Sequence, residues 1–126
     1  MLSILIVEDN SINQKVLDAY LRKKGIRTIV AKNGLEAISQ YKKEKFDCIL
    51  MDIAMPEMDG ITATKSIRKL ERKDGNYTPI IAVTASDPNG NRDIILASGI
   101  DDLIAKPIEE DNLKQKIWQY CGYNFD

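Results

Sequence analysis

A chain of 126 residues with 44% hydrophobic side chains can bury one core of its own, so one domain needing neither disulfide nor structural metal is expected. Its 18 basic and 19 acidic side chains leave a formal charge of -1, which argues against electrostatic capture of nucleic acid or of an anionic membrane. Histidine is absent, which removes the commonest general base and metal ligand and leaves carboxylates, hydroxyls and lysine to carry any chemistry.

Leu2 to Val7 is a short apolar run that reads as a first strand and ends in two acids, Glu8 and Asp9. Asn10 or Ser11 can cap the helix that follows, whose apolar positions are Ile12, Val16, Leu17, Tyr20 and Leu21. Lys23, Lys24 and Gly25 close it, and Arg27 to Ala31 reads as a second strand. After the turn at Asn33-Gly34, a second helix carries Leu35, Ala37, Ile38 and Tyr41 before fraying into Lys42 to Lys45.

The third strand is the centre of the pattern. Cys48-Ile49-Leu50-Met51 runs without a break into Asp52, and a Met55-Pro56 and Asp59-Gly60 loop follows. Such a run reads as a strand buried on both faces of a parallel sheet. An acid at its end sits at the carboxyl edge, where open α/β folds place their ligands. The third helix is expected to turn Ile61, Thr64, Ile67 and Leu70 inward and Lys65, Arg68, Lys69 and Arg72 outward, with Lys73 to Thr78 as a loop. Ile80 to Val83 forms a fourth strand that stops at Thr84. Ser86 to Gly90 reads as loop, and a helix from about Asn91 to Ser98 has a thin apolar face of Ile94, Ile95 and Ala97. Asp102 to Ala105 is a fifth strand, followed by Lys106-Pro107 and a last helix from near Glu109 with Leu113, Ile117, Tyr120 and Cys121 inward.

Strands alternating with helices predict a doubly wound α/β fold, a five-stranded parallel sheet with five helices and no second domain. Cys48 and Cys121 show no CxxC or zinc-ligand spacing, and Cys48 is expected to pack as a small hydrophobe. Trp118 falls off the apolar stripe of the last helix. It either lies along a neighbouring helix or anchors a partner on the surface of the last two helices. Nothing resembles a signal peptide, and no apolar run approaches the ~18 residues of a membrane helix. A soluble, cytoplasmic chain is expected, whether whole or cut from a larger membrane-attached protein.

The strand ends then carry Glu8 and Asp9, Asp52, Thr84 and Lys106. In the flavodoxin-like order 2-1-3-4-5 expected of a five-stranded doubly wound sheet, strands one and three are neighbours and three carboxylates share one crevice. Left alone they repel, and a hard divalent cation resolves the repulsion; an all-oxygen site with few protein ligands suits Mg²⁺. Cation, ammonium and hydroxyl around a carboxylate make a cradle for a transferred phosphoryl group, and the carboxylate needs no general base. The alternative is a set of surface acids at separate loop tips.

These residues, Glu8-Asp9, Asp52 with Met55-Pro56 and Asp59-Gly60, Thr84-Ala85 and Lys106-Pro107, resemble the receiver domains of two-component response regulators. The resemblance covers residues 1–126 as a single receiver domain, and the wording VEDNSINQ, MDIAMPEMDGITAT and IIAVTAS is most similar to receivers of hybrid sensor histidine kinases. The strand order is itself part of what the resemblance implies. It also implies that Asp52 accepts a phosphoryl group from a phosphohistidine on a sensor kinase or a histidine phosphotransfer domain. Thr84 and Lys106 would contact the phosphoryl group. Asp9, Asp52 and the main-chain carbonyl of Ala54 would hold Mg²⁺, with Glu8 acting through water. Such a domain catalyses its own phosphorylation and dephosphorylation. It is expected to be a monomer, with dimerisation on phosphorylation through the fourth helix, fifth strand and fifth helix as the alternative.

One position departs from the family pattern. The family usually carries Tyr or Phe three residues before the lysine; here it is Leu103, so switching is expected to use a smaller rearrangement of the Thr84 to Asp101 segment. In receivers the side chains two positions beyond the acceptor and beyond the threonine flank the path of attacking water; here they are Ala54 and Ser86, small and uncharged, and the resemblance implies neither strong assistance to hydrolysis nor a block on it. Pro107 completes the lysine-proline pair. A phosphatase or dehalogenase-like hydrolase with an aspartate nucleophile would need a second Asp where Ala54 stands and a cap for which 126 residues leave no room. A degenerate receiver that only binds partners would have lost an acid, the acceptor or the lysine. A flavodoxin-like electron carrier would prefer hydroxyls and amides to three carboxylates.

Overall fold

The structure, a computed structural model, describes residues 1–53, 60–84 and 88–124. Among them the elements run β1 (Ser3–Val7), α1 (Ser11–Lys23), β2 (Arg27–Ala31), α2 (Gly34–Lys43), β3 (Cys48–Asp52), α3 (Gly60–Asp74), β4 (Ile80–Thr84), α4 (Pro88–Ala97), β5 (Asp102–Ala105) and α5 (Glu110–Cys121). The strands form one parallel sheet in the order β2-β1-β3-β4-β5, as expected. Among the described residues no helix is long and apolar enough to cross a membrane.

Alternation along the central strands builds two cores. Leu5, Val7, Ile49, Met51, Ile80 and Ala82 face one side, against Ala37 of α2, Ala63 and Ile67 of α3 and Ile95 of α4. Their neighbours Ile4, Ile6, Cys48, Leu50 and Ile81 face the other, against Leu17 and Leu21 of α1 and Leu113 and Ile117 of α5. Both faces are therefore covered, which is why these strands are continuously apolar rather than alternating. Register follows: Val7 lies beside Met51, and Asp52 beside Val83. Glu8 and Asp52 thus leave their strands at one level.

Helix ends account for the placing of α1 and α2. The Asn10 side chain accepts from the N–H groups of Ile12 and Asn13, both at 3.0 Å, and that of Asn33 accepts from Glu36 N at 2.9 Å. These caps satisfy donors that a helix start otherwise leaves open.

The sequence reading needs several corrections. Ile12 and Val16 are not core positions but are 70% and 66% exposed, and Leu35 is exposed as well. The α1 face toward the sheet is narrower than its apolar stripe, and Leu17 and Leu21 fill it. Arg68 does not point outward: its guanidinium lies in an ion-pair network with Glu71, itself buried, and Asp101. The third helix runs on to Asp74, into the expected loop. The fourth begins at Pro88 rather than Asn91, consistent with proline's fitness for a first helical position, where its missing N–H costs nothing. Ala97, expected on the apolar face of α4, is exposed, whereas Ile95 and Ser98 are buried. Trp118 is 61% exposed, which favours the partner-anchor alternative over packing along a neighbouring helix. The expected loop residues Met55, Pro56, Asp59, Ala85, Ser86 and Asp87, and the carbonyl-bearing Ala54, lie outside the described residues, as does the side chain of Ile94.

Candidate phosphoacceptor site

Parallel register brings the ends of β1 and β3 together, and with them the acids. One carboxylate oxygen each from Glu8, Asp9 and Asp52 lie within 4.8 Å of one another. Asp52 and Glu8 are buried and Asp9 is exposed. The strand ends therefore do not splay into separate loop tips; they form one acidic crevice, open on the Asp9 side.

Lys106 closes the crevice from the β5 side. Its ammonium lies 3.2 Å from Asp52 Oδ2 and 3.3 Å from Glu8 Oε1. The side chain is aimed there because Lys106 N donates to Thr84 O at 2.8 Å, carrying the β4–β5 pairing one step past the strand ends. The Lys106-Pro107 peptide bond is cis. Thr84 is buried at the end of β4, one residue beyond the partner of Asp52.

Protonation equilibria report the same crowding. Burial raises the Glu8 carboxyl above the usual carboxylate range; Asn10 N–H opposes this, while the neighbouring Asp52 carboxylate adds to it and Lys106 subtracts. Burial alone would lower the Lys106 ammonium, yet Asp52 and Glu8 together hold it above the ordinary lysine value. Three acids and one cation leave net negative charge in a largely buried crevice. Oxygen donors of this kind fit a hard divalent cation, and the donor set lacks the nitrogen or sulfur that a softer metal prefers.

A family model for the response regulator receiver domain matches residues 4–118. The chain belongs to that family. The receiver is 42% identical over 126 residues to hybrid signal transduction histidine kinase I of Dictyostelium discoideum, an alignment covering 95% of this chain and 7% of that protein. It thus spans a small part of the curated relatives it matches, 4% of hybrid signal transduction histidine kinase G from the same organism. Among solved structures it superimposes with a TM-score of 0.90 and 36% identity on the Saccharomyces cerevisiae co-crystal of the phosphotransfer protein Ypd1 with the receiver domain of Ssk1, over 96% of this chain and 89% of that one. The receiver domain of sensor histidine kinase PA1611 from Pseudomonas aeruginosa, solved with a magnesium ion in its active-site cleft, matches with a TM-score of 0.86 and 37% identity over 97% and 98% of the two chains.

Of the residues singled out in the sequence, the structure brings together Glu8, Asp9, Asp52 and Lys106, and sets Thr84 at the adjoining strand end. Ala54 and Ser86 lie outside the described residues. Leu103 is buried, packed in the core that holds Ile95 of α4. Pro107 is exposed and lines a groove of about 530 Å³ with Glu8, Lys106, Val16, Leu17 and Tyr20.

Two supports of the site went unread in the sequence. Gly60 was visible as a turn residue, but its function is steric. A Cβ there would stand 2.6 Å from Asp52 O and 2.7 Å from Ile53 Cα, so only glycine lets the start of α3 approach the end of β3. The exposed pair Ile12 and Val16 sits at i, i+4 on α1; the spacing was legible, but their exposure depended on how α1 rolls against the sheet.

Proposed function

We propose that residues 1–126 act as one receiver domain whose Asp52 accepts a phosphoryl group from a phosphohistidine in a Mg²⁺-dependent reaction. The observation that carries this reading is the buried Asp52 carboxylate flanked by Glu8 and Asp9 and paired with Lys106. A carboxylate oxygen of Asp52 attacks phosphorus, the phosphorus–nitrogen bond to the donor imidazole breaks, and its electron pair stays on that ring. Lys106 neutralises charge on a phosphoryl oxygen, and the Thr84 hydroxyl donates to another. Asp9 and Asp52, with the carbonyl of Ala54, would hold Mg²⁺ and Glu8 would act through water; the ion when bound supplies charge neutralisation between the acids and the incoming phosphoryl group.

The donor docks beside this crevice. Ile12 and Val16 expose an apolar strip on α1, and the groove between α1 and the segment after Lys106 runs from that strip to Glu8. A phosphohistidine delivered along that strip arrives at Glu8 and Lys106, the two residues that flank the Asp52 carboxylate. The likeness to the Ssk1 receiver, crystallised with Ypd1, supports a histidine phosphotransfer domain or a sensor kinase as donor. The signal is read by a partner, and the location is cytoplasmic. With Leu103 already buried, the switch works through a small rearrangement near Thr84 rather than an inward swing at position 103. The degenerate, partner-binding receiver is disfavoured because no acid, acceptor or lysine is lost.

The test is intact mass after incubation with acetyl phosphate, with and without Mg²⁺, and separately with phosphorylated Ypd1. Asp52→Asn and Ile12→Glu/Val16→Glu are compared with the native chain. One Mg²⁺-dependent phosphoryl adduct, absent in Asp52→Asn, is expected. The α1 variant keeps the acetyl phosphate adduct and loses that from Ypd1. An adduct surviving in Asp52→Asn would refute the assignment of the acceptor.

A further inference from the structure

Cys48 and Cys121 are 73 positions apart in sequence, yet the fold sets them side by side at the edge of the sheet opposite Asp52. Cys48 opens β3 and is fully buried; Cys121 ends α5 and is partly exposed. The Cys121 thiol donates to Asp47 O at 3.5 Å, the carbonyl immediately before Cys48, and the Cys48 thiol donates to Ile49 O at 3.8 Å, so both sulfurs lie at the start of β3. Both belong to the core between the sheet and the α1–α5 layer. Gly122, at φ +69°, stops α5 directly after Cys121, so this thiol lies in a terminal turn, where helices yield most readily.

We propose that Cys48 and Cys121 are an oxidisable thiol pair that a peroxide closes to an intramolecular disulfide, tethering the end of α5 to the start of β3. The partly exposed Cys121 is the sulfur an oxidant meets. The neighbouring Cys48 thiol holds the Cys121 thiol below its ordinary value, which favours the thiolate, while Cys121 and burial push the Cys48 thiol up and keep it protonated. Cys121 thiolate attacks one oxygen of hydrogen peroxide, forming a sulfur–oxygen bond and breaking the oxygen–oxygen bond. The released hydroxide takes a proton and becomes water. Cys48 sulfur then attacks the Cys121 sulfenic sulfur; the sulfur–sulfur bond forms, the sulfur–oxygen bond breaks, and the leaving hydroxide takes the Cys48 proton as a second water. Two thiols are oxidised and one peroxide is reduced. Neither sulfur touches the phosphoacceptor crevice, so this inference stands apart from the proposed function.

The test is non-reducing intact mass and peptide mapping of the native chain after hydrogen peroxide, with Cys121→Ser, Cys48→Ala and native chain in urea as comparisons. The expected result is a monomer lighter by two hydrogen atoms, restored by dithiothreitol, with the peptides containing Cys48 and Cys121 joined. It forms faster in native buffer than in urea and is absent from Cys121→Ser. The proposal is overturned if the folded native chain stays unoxidised, accumulates oxygen adducts at Cys121 without a cross-link, or links only between chains. It is equally overturned if the disulfide forms only in urea. Because the decisive measurement is on the native chain, a Cys48→Ala variant that fails to fold leaves the outcome intact.

Discussion

Replacing Asp52 by asparagine is expected to stabilise the metal-free domain even as it destroys the proposed acceptor. Asp52 is 3% exposed, and the carboxylates of Glu8 and Asp9 lie within 4.8 Å. At an effective dielectric of about 20, each such neighbour repels it by roughly 3 kcal/mol, less for the exposed Asp9, where solvent screens. Lys106, 3.2 Å away, attracts it by roughly 5 kcal/mol on the same scale. Pair terms of opposite sign therefore nearly cancel, and what is left is the cost of holding an ionised carboxylate away from water. Asparagine removes that cost and both repulsions, while Lys106 keeps its contact with Glu8 at 3.3 Å. A gain of about 1–2 kcal/mol follows once the lost Lys106 attraction is offset. Urea denaturation with a chelator present measures it directly. Repeated in excess Mg²⁺, the native chain gains stability through binding, whereas Asp52→Asn gains much less, having lost one ligand. If Asp52→Asn is less stable than the native chain in chelator by about 1 kcal/mol or more, the Lys106 pair outweighs the crowding and the electrostatic account is wrong.

Other consequences can be read at the bench. Glu71, 3% exposed, accepts from Arg68, from Thr78 N at 2.6 Å and from Tyr41 Oη at 3.0 Å. Glu71→Ala strands the Thr78 N–H and the Tyr41 hydroxyl and takes one carboxylate from Arg68, which keeps Asp101 and the carbonyls of Thr78 and Gly99; it should cost about 3 kcal/mol in urea denaturation, and a loss below about 1 kcal/mol would mean the remaining partners and solvent satisfy these donors. Gly60→Ala forces a methyl against backbone atoms of Asp52 and Ile53 that cannot rotate aside; destabilisation of about 3 kcal/mol and a weakened phosphoryl adduct are expected, and an unperturbed domain would show the approach to be slack. Burial, then the carboxylates of Glu71 and Asp102, push the phenols of Tyr41 and Tyr120 up to about 12. These phenols are thus raised in the fold, and their contribution to stability is full below about pH 10 and fades as pH climbs through about 12. Phenolate absorbance should show Tyr41→Phe and Tyr120→Phe each losing a late-titrating component; loss of a component near the ordinary tyrosine value would contradict the assignment.

Much of the site was legible because it depends on periodicity and chain order. Apolar runs ending in Glu8-Asp9, in Asp52, in Thr84 and before Lys106 define parallel strands whose ends must share an edge, whatever their packing details. The unbroken apolar run of the third strand likewise marked Cys48 as buried, since a central strand has no solvent face. What the tertiary structure decided lies where two elements meet. The roll of α1 against the sheet exposes Ile12 and Val16 while burying Leu17 and Leu21, although all four are apolar at helical spacing. Arg68 read as an outward, solvated position, and only the closeness of Glu71, Thr78 and Asp101 draws it into the interior. Gly60 spells a turn in one dimension and a steric allowance beside Asp52 in three. The meeting of Cys48 with Cys121 depends on where α5 ends over β3, a contact between distant positions that local pattern does not encode.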